Sequence, residues 1–217
     1  MPSTVSSRPI FARMLVRAAV CEERRGGAEH RRRLLADLSG RVVELGAGSG
    51  VSFAHYPGTV TELIAVEPEE HLRAMAQEAA TDAPVPVTVV EGVADALPLD
   101  DASMDAGVVT AVLCSVPDPA AALGELRRVI RPGGELRFFE HVAADTPGLA
   151  RFQRALDATI WPRVNGGCHT HRDTEAAIRA AGFDIEACDR FSFRAHPIAA
   201  PVAPRILGRA RRPAGSS

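Results

Sequence analysis

Apolar residues fall along this chain in two alternating rhythms. Apolar-rich segments within 41–45, 61–67, 87–91, 105–112 and 135–140 read as short strands, the first of them a buried parallel strand. Between them, apolar residues return every three or four positions, the spacing of helices with one buried face. That spacing predicts helices over 9–23, 28–38, 69–80, 119–130, about 149–160 and 174–181, with a short one over 51–56. The punctuation agrees. Gly26-Gly27 breaks the first helix, Gly40 ends the second, and Pro57-Gly58 closes the short one. Pro68 is expected at a first helical position, Arg131-Pro132-Gly133-Gly134 stops the 119–130 helix, and Asp173 caps the last. Two further strands are expected over 183–188 and 205–210. Strand, helix, strand in repetition predicts an α/β fold: a Rossmann-like, mostly parallel sheet with helices on both faces. The expectation is one domain over 1–217, with 9–40 as a helical lid and 1–8 and 211–217 disordered.

Size and charge narrow the possibilities. A chain of 217 residues with 46% hydrophobic and 24% charged residues has room for one sizeable core. A net charge of −2 gives no footing for a nucleic-acid partner. No apolar run is long enough for a membrane span, and 1–8 lacks the layout of a signal peptide, so a cytoplasmic location is expected. Cys21, Cys114, Cys168 and Cys188 are widely spaced with no C-x-x-C, so reduced thiols and no metal are expected.

The chemistry concentrates where the first strand ends, at Glu44-Leu45-Gly46-Ala47-Gly48-Ser49-Gly50. Glycines at alternate positions let backbone turn sharply and approach a ligand closely. The spacing is E-x-G-x-G-x-G, not the G-x-G-x-x-G of a pyrophosphate-binding turn. Glu44 suits a ligand with a cationic amino group. Glu67, 21 residues after Gly46, ends the second strand, where an acid can accept both ribose hydroxyls. Ribose plus ammonium without a phosphate cradle describes S-adenosylmethionine (SAM). The two acids can also be read as mere caps of strand ends, but the strand–turn–helix setting favours the cofactor.

This arrangement resembles the class I SAM-dependent methyltransferases over nearly the whole chain. Glu44 to Gly50 looks like their first motif, with Gly46, Ala47, Gly48 and Gly50 at the cofactor, and Glu67-Pro68 looks like their ribose-binding strand end. Gly92-Val93-Ala94-Asp95-Ala96-Leu97-Pro98 is similar to their G-D-A-x-x-L-P adenine loop, and 126–134 to the stretch before their fifth strand. Val93 stands where many members have an aspartate, so adenine would rely on Ala94 backbone and the Asp95 side chain. Thr110, ending the fourth strand, can offer its carbonyl to the cofactor's amino group. The resemblance implies seven strands, the last antiparallel, with SAM as cofactor and S-adenosylhomocysteine as product.

A narrower resemblance, to the thiol S-methyltransferases of the methyltransferase-like group, rests on Val112-Leu113-Cys114-Ser115-Val116, on Phe139-Glu140-His141-Val142-Ala143-Ala144 and on Gly167-Cys168 followed by Arg172. It implies a small-molecule thiol or dithiol acceptor. The thiolate is the nucleophile and a free thiol has a pKa of about 8.5, so a base is wanted. His141 after the fifth strand is the first candidate and His169 the second; His141 can also be read as a hydrogen-bonded residue orienting the next loop. Cys114 and Ser115 can line an acceptor pocket, or Cys114 can be a small core residue. Trp161, Cys168 and Arg172 would form its far wall, with Arg172 pairing either an acidic acceptor or Asp173. Trp161 and Phe152 read as an apolar lid or as core. The alternatives are an O- or N-methyltransferase of a quinone, polyketide or lipid headgroup, and a SAM-binding protein that sequesters a dithiol. A monomer or homodimer is expected.

Overall fold

Seven strands form one sheet in the order β3-β2-β1-β4-β5-β7-β6. They are β1 (Gly40–Leu45), β2 (Val60–Val66), β3 (Val87–Val90), β4 (Met104–Thr110), β5 (Ile130–His141), β6 (Asp184–Ser192) and β7 (Pro204–Arg211). The computed structural model describes residues 9–159, 161–195 and 197–215. β1 pairs in parallel with β2 and β4, β2 with β3, and β4 with β5, while β7 runs antiparallel to both β5 and β6. The chain therefore winds outward one way from β1 and then, from β4, the other way. Loops leaving β1 and β4 part at that switch, which opens the crevice where such sheets bind ligands.

Each face of the sheet carries its own apolar layer. Val43, Leu45, Val109, Leu136 and Phe138 pack under α4 (Pro119–Val129) and α7 (Thr174–Ala180). Val42, Leu63, Ala65, Val108 and Phe139 pack under α2 (Ala28–Leu35) and α3 (Glu70–Ala80). Burial on both faces is why β1, β2 and β4 are nearly continuous runs of aliphatic residues. β6 lies at the edge and is mostly exposed, so its sequence carries charge; only Ile185, Cys188 and Phe191 are half-buried, the first two against one apolar layer and Phe191 against the other.

Local chemistry explains several boundaries that differ from expectation. Pro68 does not open a helix: Glu69 is the extended N-cap, its carboxylate accepting the Leu72 N–H at 2.8 Å, and α3 starts at Glu70. Residues 51–56 make only a 3-10 turn at Phe53–His55. The second helix stops at Leu35 because Asp37 is left-handed (φ 63°). Gly26 (φ 114°) does not end the first helix, α1 (Pro9–Glu22), cleanly; a wide π-type turn at Glu23–Gly27 carries it into α2. The strand after α4 begins at Ile130 rather than after the 131–134 stop. The tail is not loose at Arg211: Arg211 Nη1 donates to the Gly133 carbonyl (2.9 Å), and the Arg212 N–H to that of Gly134 (2.8 Å). The fifth helix, α5 (Pro147–Asp157), is set by Pro147 and leaves Phe152 53% exposed, so Phe152 is not core.

Candidate functional site

The glycine turn after β1 is built as its residues require. Gly46, Gly48 and Gly50 have φ of 66°, 58° and 78°, a region in which side chains are strained. A Cβ on Gly46 would lie 2.6 Å from Val112 Cγ2, and one on Gly50 2.7 Å from the Phe53 ring. A Cβ on Gly48 would meet nothing within 4 Å, so there the turn faces open space. Ala47 is buried beneath the turn. The Gly46 N–H reaches across to the Val66 carbonyl at 2.8 Å and so ties the turn to the end of β2.

Glu67, at that end, holds the turn through its side chain. One oxygen accepts the Gly48 N–H (2.8 Å) and the other the Glu69 N–H (3.0 Å). Burial raises its pKa to about 6, against these amide bonds that favour the charge. Glu44 is buried on β1 and accepts the Tyr56 hydroxyl at 3.0 Å. Burial raises its pKa to about 7, opposed by hydrogen bonds from Ser52 and Tyr56. Pro68 stands beside Glu67, half-buried. Val93 and Ala96 close a tight bridge, with Ala94 packed against the core and Asp95 exposed. The buried Thr110 hydroxyl has no partner among the described residues. An open left-handed glycine, an acid aimed at it and an orphaned hydroxyl at the crevice fit a polar nucleoside ligand.

A second constellation lies at the carboxyl ends of β4 and β5. The chain turns after β4 through Ala111, which has φ 54°. Glu140, fully buried on β5, holds that turn: it accepts the N–H groups of Val112 (2.8 Å), Leu113 (3.1 Å) and Cys114 (3.2 Å). Burial raises its pKa to about 7 in spite of those bonds. Next along β5, His141 Nδ1 stands 3.5 Å from Cys114 Sγ and 3.8 Å from Cys168 Sγ. The two sulfurs are 4.0 Å apart, and Cys114 Sγ is 3.4 Å from Ser115 Oγ. Cys114 is thus buried, as a core residue would be, yet faces polar groups. The pKa of the Cys168 thiol is lowered, first by its sulfur–sulfur hydrogen bond with Cys114, against burial, and then by His141. The Cys114 thiol is correspondingly raised.

The loop from Asn165 to Arg172 closes over this turn. Gly167 (φ 88°) passes so close to the Ser115 carbonyl that a Cβ would sit 2.6 Å from it. The His169 N–H donates to the Cys114 carbonyl at 2.7 Å, and the His169 ring stands 3.8 Å from Asp157 Oδ2. Arg172 does not pair with Asp173, which instead caps α7 by accepting the Ala176 N–H. Its guanidinium donates to the carbonyls of Leu113 (2.6 Å) and Val116 (2.7 Å). Trp161 starts the single-turn helix α6 (Trp161–Val164), half-buried, beside Cys168.

The structure therefore brings together Cys114, His141, Cys168 and Ser115, which the sequence marked at separate places. It sets His169 to one side. Sequence reading missed Glu140, Tyr56, Glu69 and Asp157. Of these, only Glu140 carried a signal, an acid directly after the Phe138-Phe139 pair at the end of β5.

A methyltransferase domain family matches residues 43–138. Human thiol S-methyltransferase TMT1B is 34% identical over 182 residues, covering 81% of this chain and 73% of its own. Among solved structures, a Thermotoga maritima SAM-dependent methyltransferase described as a possible histamine N-methyltransferase aligns with TM-score 0.68 at 22% identity, covering 94% and 98% of the two chains. A putative methyltransferase of Haloferax volcanii, solved with the Trm112 activator, aligns at 0.70 and 19% identity over 96% and 100%. Kinship at 34% identity across most of both chains places this one in the class I SAM-dependent methyltransferases, enzymes that move a methyl group from the sulfonium of SAM.

Proposed function

We propose that the enzyme methylates the sulfur of a small thiol or dithiol. When bound, SAM supplies an activated methyl, so the chain's own residues need only hold, orient and deprotonate. Glu67 takes the ribose hydroxyls, with Pro68 shaping that edge, and Glu44 favours the amino group through the turn. Gly46, Ala47, Gly48 and Gly50 give backbone contact. Val93, Ala94 and Asp95 border adenine, and the orphaned Thr110 hydroxyl gains a partner.

The observation that carries the thiol reading is the imidazole of His141 set among sulfur groups where β4 and β5 end, the edge at which an acceptor must meet the cofactor. The human relative's own activity, on thiols, supports it. The acceptor must arrive as a thiolate, and an imidazole at this edge takes its proton, His141 or, farther out, His169. Cys114, Ser115, Trp161 and Cys168 wall the acceptor, and Arg172 holds that wall in place. Such positioning is worth up to roughly 7–11 kcal/mol in favourable cases.

The test is a panel of alkyl thiols and dithiols against catechols, amines and lipid headgroups, read by S-adenosylhomocysteine release. Turnover confined to oxygen or nitrogen acceptors defeats the thiol reading. His141→Ala should lose most of the rate at neutral pH and regain part of it at about pH 9, where a free thiol ionises unaided. The same recovery in His169→Ala alone moves the proton to that ring.

A further inference from the structure

We infer that Cys114, His141 and Cys168 form a binding site for one soft or borderline d10 cation, zinc(II) above all, whose open position receives the acceptor sulfur. The second half rests on the thiol reading above. Sequence spacing gave no hint of it: the three ligands come from the turn after β4, the end of β5 and the loop before α7, and only the fold assembles them.

The geometry is that of a metal shell. Zinc binds thiolate sulfur at about 2.3 Å and imidazole nitrogen at about 2.0–2.1 Å in a tetrahedron. Such a shell sets its sulfurs about 3.8 Å apart and each sulfur about 3.5 Å from the nitrogen. Here the sulfurs are 4.0 Å apart, and the Nδ1 separations are 3.5 and 3.8 Å. A shift of a few tenths of an ångström closes the set around one ion. Two thiolates and a neutral imidazole cancel a divalent charge, which suits a cluster as buried as this one. Sulfur with imidazole selects zinc or copper(I) over magnesium or calcium.

The ligands are also held in advance, as metal sites require. Cys114 is pinned on both sides of its backbone, by Glu140 at its N–H and by His169 at its carbonyl. Arg172 fixes the carbonyls flanking Cys114, and Gly167 lets the Cys168 loop lie against Ser115. His141 is locked in the β5–β7 ladder opposite Arg205.

Three protein ligands are the signature of a site with a vacant fourth position. An acceptor R–SH fills it by forming a sulfur–metal bond with its lone pair while its S–H bond breaks and the proton passes to a base in solution. In the loaded enzyme His141 is then a ligand, and the charge of the ion does the work assigned to a free imidazole in its absence.

Cobalt(II) is the probe, added to anaerobic protein kept reduced with a phosphine, since thiol reductants would themselves coordinate. One equivalent should give intense sulfur-to-cobalt charge-transfer absorption and visible bands of tetrahedral strength, displaced by zinc(II). Cys114→Ser and Cys168→Ser should each weaken binding at least tenfold. Adding an alkyl thiol should shift the visible bands, and the alcohol of the same length should not. X-ray absorption of the zinc-loaded wild type needs no variant: two sulfurs and a histidine nitrogen are expected, rising to three sulfurs with the thiol. Absent charge-transfer bands, binding unchanged in both serine variants, a first shell without sulfur, or bands indifferent to thiol would overturn the inference. Bands that shift with thiol in an enzyme that methylates no thiol would sink the proposed acceptor instead and leave the metal site standing.

Discussion

Glu44 and Glu67 are the residues on which cofactor binding is expected to turn. Truncating Glu67 removes the proposed ribose acceptor and frees the Gly48 amide that it holds. Glu67→Ala should weaken SAM binding at least tenfold, about 1.4 kcal/mol, by titration calorimetry. Unchanged affinity would remove the ribose assignment. Both acids also predict a pH response. Their folded values of about 7 and about 6 lie above the ordinary 4.5, because ionising them means charging a buried site. Between 4.5 and those values the folded state holds more protons than the unfolded one. Stability of the ligand-free enzyme from this source is therefore full below 4.5 and is lost as pH rises toward 7. SAM binding should run the opposite way, since an ammonium favours ionised Glu44: affinity falls as pH drops through about 7. Glu44→Gln should flatten that dependence, and a slope surviving in the variant would place its origin elsewhere.

The turn after β4 depends on one acid in a neighbouring strand. Glu140 satisfies three consecutive amides that the turn leaves without ladder partners. A buried donor left unsatisfied costs about 1–3 kcal/mol. Glu140→Ala should therefore lower stability by about 3 kcal/mol or more in denaturant unfolding, and Glu140→Gln, which keeps an acceptor oxygen, by clearly less. Equal losses would mean that its charge, or the second oxygen that glutamine lacks, matters rather than a single acceptor. Gly167→Ala probes the loop above: it meets a left-handed φ and a carbonyl 2.6 Å away, so it must displace Cys168 from Cys114. Strain of about 1–3 kcal/mol is expected. Its effect should appear in kcat and acceptor KM and leave SAM affinity alone. Glu140 was visible in sequence as an acid following two phenylalanines. Its three amide partners were not, because they arise from a backbone reversal at Ala111 that no residue type there announces.

At the scale of the whole molecule, the N-terminal helices are fastened to β7, opposite the carboxyl end of β5. Arg205 on β7 donates to both carboxylate oxygens of Glu22 at 2.9 and 2.8 Å, and it lies over the rings of Phe139 and Phe193. Arg31 reaches Glu23, which also meets His55. Burial would raise Glu22, but Arg205 outweighs it and holds the carboxyl low. That stabilisation is present above the ordinary value of 4.5 and is lost as pH falls below it. Arg205→Ala leaves partly buried Glu22 with only the longer Arg31 contact at 3.9 Å, so stability should fall, by at most about 3–5 kcal/mol, in thermal or denaturant unfolding. Glu22→Leu with Arg205→Met should recover most of it. If the double variant is no better than the single one, the arginine acts through its aromatic stacking instead. We propose that 9–40, so tied, covers the carboxyl edge beside His141. The described helices include none long and apolar enough to cross a membrane.

The sequence by itself determined the fold class, the two-sided burial of the central strands and the glycine turn between two acids. Each of these is a local matter, written in periodicity and in residues with special backbone freedom. It also named nearly every side chain of the second constellation. Only the tertiary structure decided which of them meet. Cys114 and Cys168 lie 54 positions apart, and their 4.0 Å separation is set by a parallel strand pair, a buried Glu140 and a loop pressed against Ser115. In the sequence, four widely spaced cysteines with no C-x-x-C pointed away from a metal. Distance across three segments points toward one, because long-range contacts are fixed by packing and leave no period in the chain.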